Sequence, residues 1–229
     1  MISFGDLLVK SFYIFKKRFL VFVAIMLVPF LSFFSTFLFV FLPLFIFLTL
    51  FLFLGFKALG FLPVFILMFI FSCAAFLVAS IWTPVALICA VLNKEDRAGI
   101  KEAFDQSFLK IFSYWWIAFL NGLFVIAGLV LFIIPGIIFG IWFFLSEFVL
   151  ISEGPKGKKA LFRSKNLIKG YWWQVFWRIA LLNIIIFSLS FALSYIPFVN
   201  NIIFIFITPF SAVFGFLIYK NLKYLKSKA

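Results

Sequence analysis

The sequence predicts an all-α membrane protein, a polytopic bundle of about six transmembrane helices with three amphipathic helices lying in the interface. Three observations carry that class. Of 229 residues, 67% are hydrophobic and only 12% charged, too few polar side chains to cover the surface of a water-soluble fold. The apolar runs are continuous and long, whereas a membrane barrel would alternate in period two. Basic residues return between the runs, on stretches whose apolar positions have helical spacing. A single integral domain over residues 1–229 follows, and the absence of histidine from the chain removes the commonest metal ligand and general base together.

In chain order, MISFGDLLVKSFYIFKKR opens the sequence. Phe4, Leu7, Leu8, Phe12 and Phe15 recur at helical spacing, and Asp6, Lys10, Lys16 and Lys17 fall largely elsewhere. This segment reads as an interfacial helix rather than a cleavable signal, since no small-residue cleavage site follows a short apolar core. Two spans are expected next, near 19–40 and 64–92. The piece between them, from Pro43 to Gly60, would then be a re-entrant or interfacial insertion that carries Lys57 on the far side. Cys73 and Cys89 share the second run and read as small buried hydrophobes.

From Asn93 to Lys110 the chain is charged again, and Ile100, Ala103, Phe104, Phe108 and Ile111 form the stripe of a second amphipathic helix. The apolar stretch from Ile111 to Ile151 is then a hairpin of two spans turning at Pro135-Gly136. A third amphipathic helix carries Lys156, Lys158, Lys159, Arg163, Lys165 and Lys169. Two last spans, near 179–196 and 202–219, are separated by Pro197, Asn200 and Asn201, and KNLKYLKSKA closes the chain. In this scheme all Lys and Arg residues except Lys57 lie on one side, so both termini are expected in the cytoplasm.

An internal repeat is also legible. Ser11, Ser107 and Ser164 occupy like positions on the three amphipathic helices. Tyr114-Trp115-Trp116 and Tyr171-Trp172-Trp173 follow the second and third at one offset. Three units are expected, 1–92, 93–152 and 153–229, each an interfacial helix plus two spans; recurring aromatic belts of any membrane protein are the alternative. Gly136 and Gly140 make a small-xxx-small pair that lets helix backbones approach, as do Ala75 with Ala79 and Ser211 with Gly215.

The stretch GLVLFIIPGIIFGIWFFLSEFVLISEGPKGKKALFRSKNLIKGYWWQVF resembles the core of the bacterial multipass family named for the membrane domain of glycerophosphoryl diester phosphodiesterase. The shared features are the IIPG segment, Glu153-Gly154, Ala-Leu followed by Arg-Ser, and a glycine then tryptophan before the next span. In fusion members such a region is attached to a soluble phosphodiesterase barrel. This chain has neither room for the barrel nor its acidic and histidine chemistry, so the resemblance implies a membrane domain of the bacterial plasma membrane and not that activity.

Candidate chemistry is sparse. Glu147 lies inside the end of its span, where an acid relays protons, pairs with a cation such as Arg178, or snorkels outward. Asn121, Asn183 and Gln174 either line a polar path or bond between helices. Pro29 and Pro84 either bend a gate or are tolerated kinks. The six cations from Lys156 to Lys169 either bind anionic headgroups or set topology. No phosphate loop, metal cluster or activated nucleophile is visible, and neither a cofactor nor nucleic acid is expected.

The first reading is a non-enzymatic protein that engages anionic membrane lipid, a membrane-protein partner or a second copy of itself. The alternative is a small transporter or permease component with a path near Glu147, and a lipid enzyme comes third. The topology is directly checkable. A cysteine at Asn200 is expected to react with an impermeant thiol reagent applied from outside the cell, and reaction only from the cytoplasmic side contradicts the scheme.

Overall fold

The computed structural model describes residues 2–54, 60, 62–92, 100–195 and 199–228, and among them the regular structure is helical with no strand. Lys57, Pro197 and residues 93–99 lie outside the described residues.

Helix α1 (Phe4–Lys17) starts because Ser3 caps it: the Ser3 Oγ accepts from the Asp6 backbone N–H at 3.1 Å and donates to Asp6 Oδ2 at 2.7 Å. Its inward face is Leu7, Ser11 and Phe15, whereas Phe12 of the expected stripe is exposed. Helix α2 (Phe19–Leu54) then runs 36 residues without a charge, roughly 54 Å at 1.5 Å per residue. It continues through Pro43, where a separate re-entrant piece was expected. That piece was expected to be mostly helical, since backbone at membrane depth must keep its hydrogen bonds internal, and it is helical to Leu54 but continuous with the first span. Helix α3 (Leu62–Leu92) returns antiparallel. Phe47 meets Phe65 edge-on at 5.1 Å toward one end of the pair, and at the other end Phe22 and Met26 pack with Leu87, Ala90 and Val91.

Helix α4 (Ile100–Phe108) leads into α5 (Ile111–Leu131), and one extended residue, Phe132, turns the chain into α6 (Ile133–Phe143). The hairpin therefore turns three residues before Pro135, which sits in the first turn of α6. There its missing N–H costs nothing, because first-turn donors have no partner within the helix. The span continues past a break at Phe144-Leu145 as α7 (Ser146–Glu153). Helix α8 (Lys158–Ile168) is the third amphipathic helix, shorter than expected, so Lys156 precedes it and Lys169 follows it. Helices α9 (Trp172–Leu193) and α10 (Val199–Lys228) complete the bundle. The last takes in Asn200, Asn201 and most of the basic tail.

Five stretches are long and apolar enough to cross a membrane: Leu62–Leu92, Ile111–Leu131, Ile133–Glu153, Trp172–Leu193 and Ile203–Lys228. The remaining expected span corresponds to α2, several of whose side chains lie outside the described set. Packing is uneven along the helices. The buried residues gather at the end where α1, α4 and α8 lie: Val85 to Val91 of α3, Phe148 to Ile151 of α7, and Val213 to Leu222 of α10. Toward the opposite end Phe53, Phe71, Val130, Phe132 and Phe187 are exposed, as helix faces turned to lipid should be.

Each amphipathic helix packs beside the second member of a hairpin: α4 on α3, α8 on α6 and α7, and α1 on α10. Ser11, Ser107 and Ser164 are all fully buried in doing so. The Trp82 indole N–H donates to Ser107 Oγ at 2.7 Å, and Ser164 Oγ donates to the Trp142 carbonyl at 2.7 Å.

Close packing in the α5–α6 hairpin rests on Gly136, but its partner is Gly128 rather than Gly140. A Cβ on Gly128 would sit 2.8 Å from the Gly136 Cα, whereas one on Gly140 would meet only Val125 Cγ2 at 3.9 Å. Gly128→Ala is expected to destabilise the protein by about 1 to 3 kcal/mol, since backbone must move to admit the methyl group. Gly140→Ala is expected to be close to neutral. Thermal unfolding in detergent compares the two, and equal melting temperatures for both variants contradict the assignment.

Candidate functional site

Two places gather the polar residues. The first is the end bearing the amphipathic helices. Helix α7 stops at Gly154, whose φ of 82° is the left-handed conformation that glycine adopts without strain. That stop leaves Glu153 facing α8 and α10. Its Oε2 accepts from Arg163 Nε at 3.0 Å, and its Oε1 accepts from the Tyr219 hydroxyl at 2.8 Å and pairs with Lys223 Nζ at 2.9 Å. The Tyr219 hydroxyl also lies 2.6 Å from Ser152 Oγ. One carboxylate thus joins three helices. Three further cations bind backbone carbonyls: Lys110 Nζ that of Ile151 at 3.1 Å, Arg18 that of Ala90, and Arg178 those of Gln174 and Ile2. Ala90 and Ile151 belong to last helical turns, where carbonyls lack intrahelical partners and the helix dipole favours a positive charge.

These contacts sort the six expected headgroup cations. Arg163 is held by Glu153. Lys156, Lys158 and Lys159 are exposed. Lys165 is half-buried, with its Nζ 4.2 Å from the centre of the Trp142 ring. Lys169 lines an apolar groove of about 580 Å³ between α6 and α9, whose walls are Ile134, Ile137, Ile138 and Trp142 on one side and Trp172, Trp173 and Phe176 on the other. Gly170, at a φ of 92°, lines the groove beside Lys169 and turns the chain from α8 into α9.

The second place is a cavity of about 320 Å³ among α3, α5, α6, α7 and α10. Glu147 and Asn121 both line it, as do Gly140 and Pro84. The expected pairing of Glu147 with Arg178 does not form. The carboxylate instead accepts from the Tyr114 hydroxyl at 3.0 Å, while Arg178 donates to the Ile2 carbonyl ahead of α1 and to the Gln174 carbonyl of its own helix. Asn121 Oδ1 is buried without a partner. Asn183 is not brought to this cavity. It is exposed and donates to the Ile179 carbonyl of its own helix, so the polar path with Asn183 in it is not formed.

Sequence reasoning missed Tyr114, Thr208 and Ser211 as lining residues, although Tyr114 stood out as the polar member of an aromatic cluster. It also missed Gly128, which matters through the neighbouring helix α6, and Tyr219, which matters through residues 66 and 67 positions away. No protein-family model, curated protein or solved structure matches this chain.

Proposed function

We propose that this chain is a non-enzymatic multipass membrane protein that engages an anionic phospholipid at its basic end. One acyl chain lies in the α6–α9 groove, and the phosphate sits beside Lys165 and Lys169. The observation that carries the reading is the groove itself. It is apolar and aromatic-walled, and has a lysine in its lining and a second lysine over one of its rings. An amphipathic anion matches that lining at both ends, and a lysine near the membrane surface contributes about 1 kcal/mol toward anionic lipid. The proposed setting is the bacterial plasma membrane with both termini in the cytoplasm, and the proposed partners are membrane lipid and, at the exposed Lys156, Lys158 and Lys159, a membrane protein or a second copy of the chain. The IIPG and Glu153-Gly154 features fit the proposed kinship with the glycerophosphodiesterase membrane domain, since both lie in elements that build this groove or its supporting network.

Native mass spectrometry of the detergent-purified protein, offered phosphatidylglycerol and phosphatidylcholine, tests the reading. Wild type is expected to retain phosphatidylglycerol selectively, and Lys165→Gln with Lys169→Gln is expected to abolish the preference. Arg163→Gln is expected to lower the melting temperature instead, through loss of its contact with Glu153. Equal retention of both lipids by wild type and the double variant reduces the lysines to topology signals.

A further inference from the structure

The central cavity is walled by the second helix of every hairpin. Pro84, Leu87 and Ile88 come from α3, Glu147 and Phe148 from α7, and Thr208, Ser211 and Ala212 from α10. Helix α5 adds Tyr114 and Asn121. The site lies beside the break at Phe144-Leu145, and Phe144 itself is part of its lining. Broken spans recur where membrane proteins hold polar ligands, because the interruption brings polar groups to membrane depth.

Its chemistry is specific in three respects. Glu147 has one hydrogen-bond partner, Tyr114, and no ion pair among the described residues. Three cations of the basic end are bound to other groups, Arg163 and Lys223 at Glu153 and Lys110 at the Ile151 carbonyl. A carboxylate in a low-dielectric setting without a counter-charge is costly, so the cavity favours a positive guest. Asn121 Oδ1 is a buried acceptor without a donor, so the guest should bring N–H groups. Finally, Phe144, Phe148, Leu87 and Ile88 offer aromatic and aliphatic wall, and 320 Å³ is about ten times the share of one water in the liquid, far more than a bare metal ion fills.

We infer that this cavity binds a small organic primary ammonium compound. Its –NH3+ group donates to the Glu147 carboxylate and to Asn121 Oδ1, and its apolar body lies against Phe144 and Phe148. An ammonium group has three donors and no acceptor, which suits a lining whose unmet needs are an acceptor and a negative charge. Rings at the wall add attraction for the cation. The site is separate from the proposed lipid groove and does not depend on it.

Benzylammonium is a suitable probe, with benzyl alcohol as its neutral counterpart and sodium chloride as the inorganic cation. Saturation-transfer NMR on the detergent-purified protein is expected to give saturable binding of benzylammonium and none of benzyl alcohol. Glu147→Gln, close to isosteric, is expected to weaken binding about tenfold or more, and Asn121→Ala several-fold, since each removes an acceptor from a charged donor. Lys165→Gln with Lys169→Gln should leave it unchanged, which separates this site from the lipid reading. Should Glu147→Gln fail to fold, the Asn121 variant and the contrast between the two wild-type probes still decide. Equal binding of benzylammonium and benzyl alcohol overturns the inference, as do undiminished binding in both variants and displacement of the probe by sodium at equimolar concentration.

Discussion

The arrangement of this protein depends on polar contacts at one end of its spans. In a chain that is 67% hydrophobic, burial cannot select one packing over another, because lipid tails are as apolar as the leucine and phenylalanine side chains that face them. What distinguishes the native arrangement is where polar groups find partners. Ser107 and Ser164 are fully buried and bonded to elements 25 and 22 residues away. Glu153 joins α7, α8 and α10. Lys110 and Arg18 close the last turns of two spans. The apolar core forms at the same end, so docking of the amphipathic helices and burial of the spans act together. Ser11 is the counterpart whose hydroxyl is buried without a partner.

That economy of polar groups also sorts the charges by function. A cation bound to a carboxylate or a helix end is not free for a ligand, which removes Arg163, Lys110 and Lys223 from consideration; Lys165 and Lys169 lie at the α6–α9 groove without such a partner among the described residues. The same reasoning applied to acids separates Glu153 from Glu147. Glu153 is surrounded by donors and cations and holds helices together. Glu147 has only a tyrosine hydroxyl and faces a cavity. Two acids six residues apart on one helix thus have different surroundings, and the difference comes from what the neighbouring helices present.

The helical membrane class was legible because it depends on composition and run length, which local sequence carries in full. The three amphipathic helices were legible for the same reason, and the serines that occupy like positions on them are all buried in the structure. The reading as three units rests on that correspondence and on the way α1, α4 and α8 each lie beside the second helix of a hairpin. What sequence could not supply was the register and rotation of one helix against another. Gly136 was recognisable as a packing residue, but Gly128 emerged as its partner only once α5 and α6 lay side by side. Asn121 and Asn183 looked alike, and only the rotation of their helices puts one in the cavity and the other outside. Proline misled twice. Pro135 marked a helix start rather than a turn, and Pro43 lies within a helix that continues past it.

The most direct test of the central claim is the density of the protein in nanodiscs containing phosphatidylglycerol, determined by electron cryomicroscopy. The expected result is one ordered lipid with an acyl chain between α6 and α9 and its phosphate within hydrogen-bonding reach of Lys169. A groove filled by the protein's own side chains, or headgroups spread evenly along α1, α4 and α8, would contradict it.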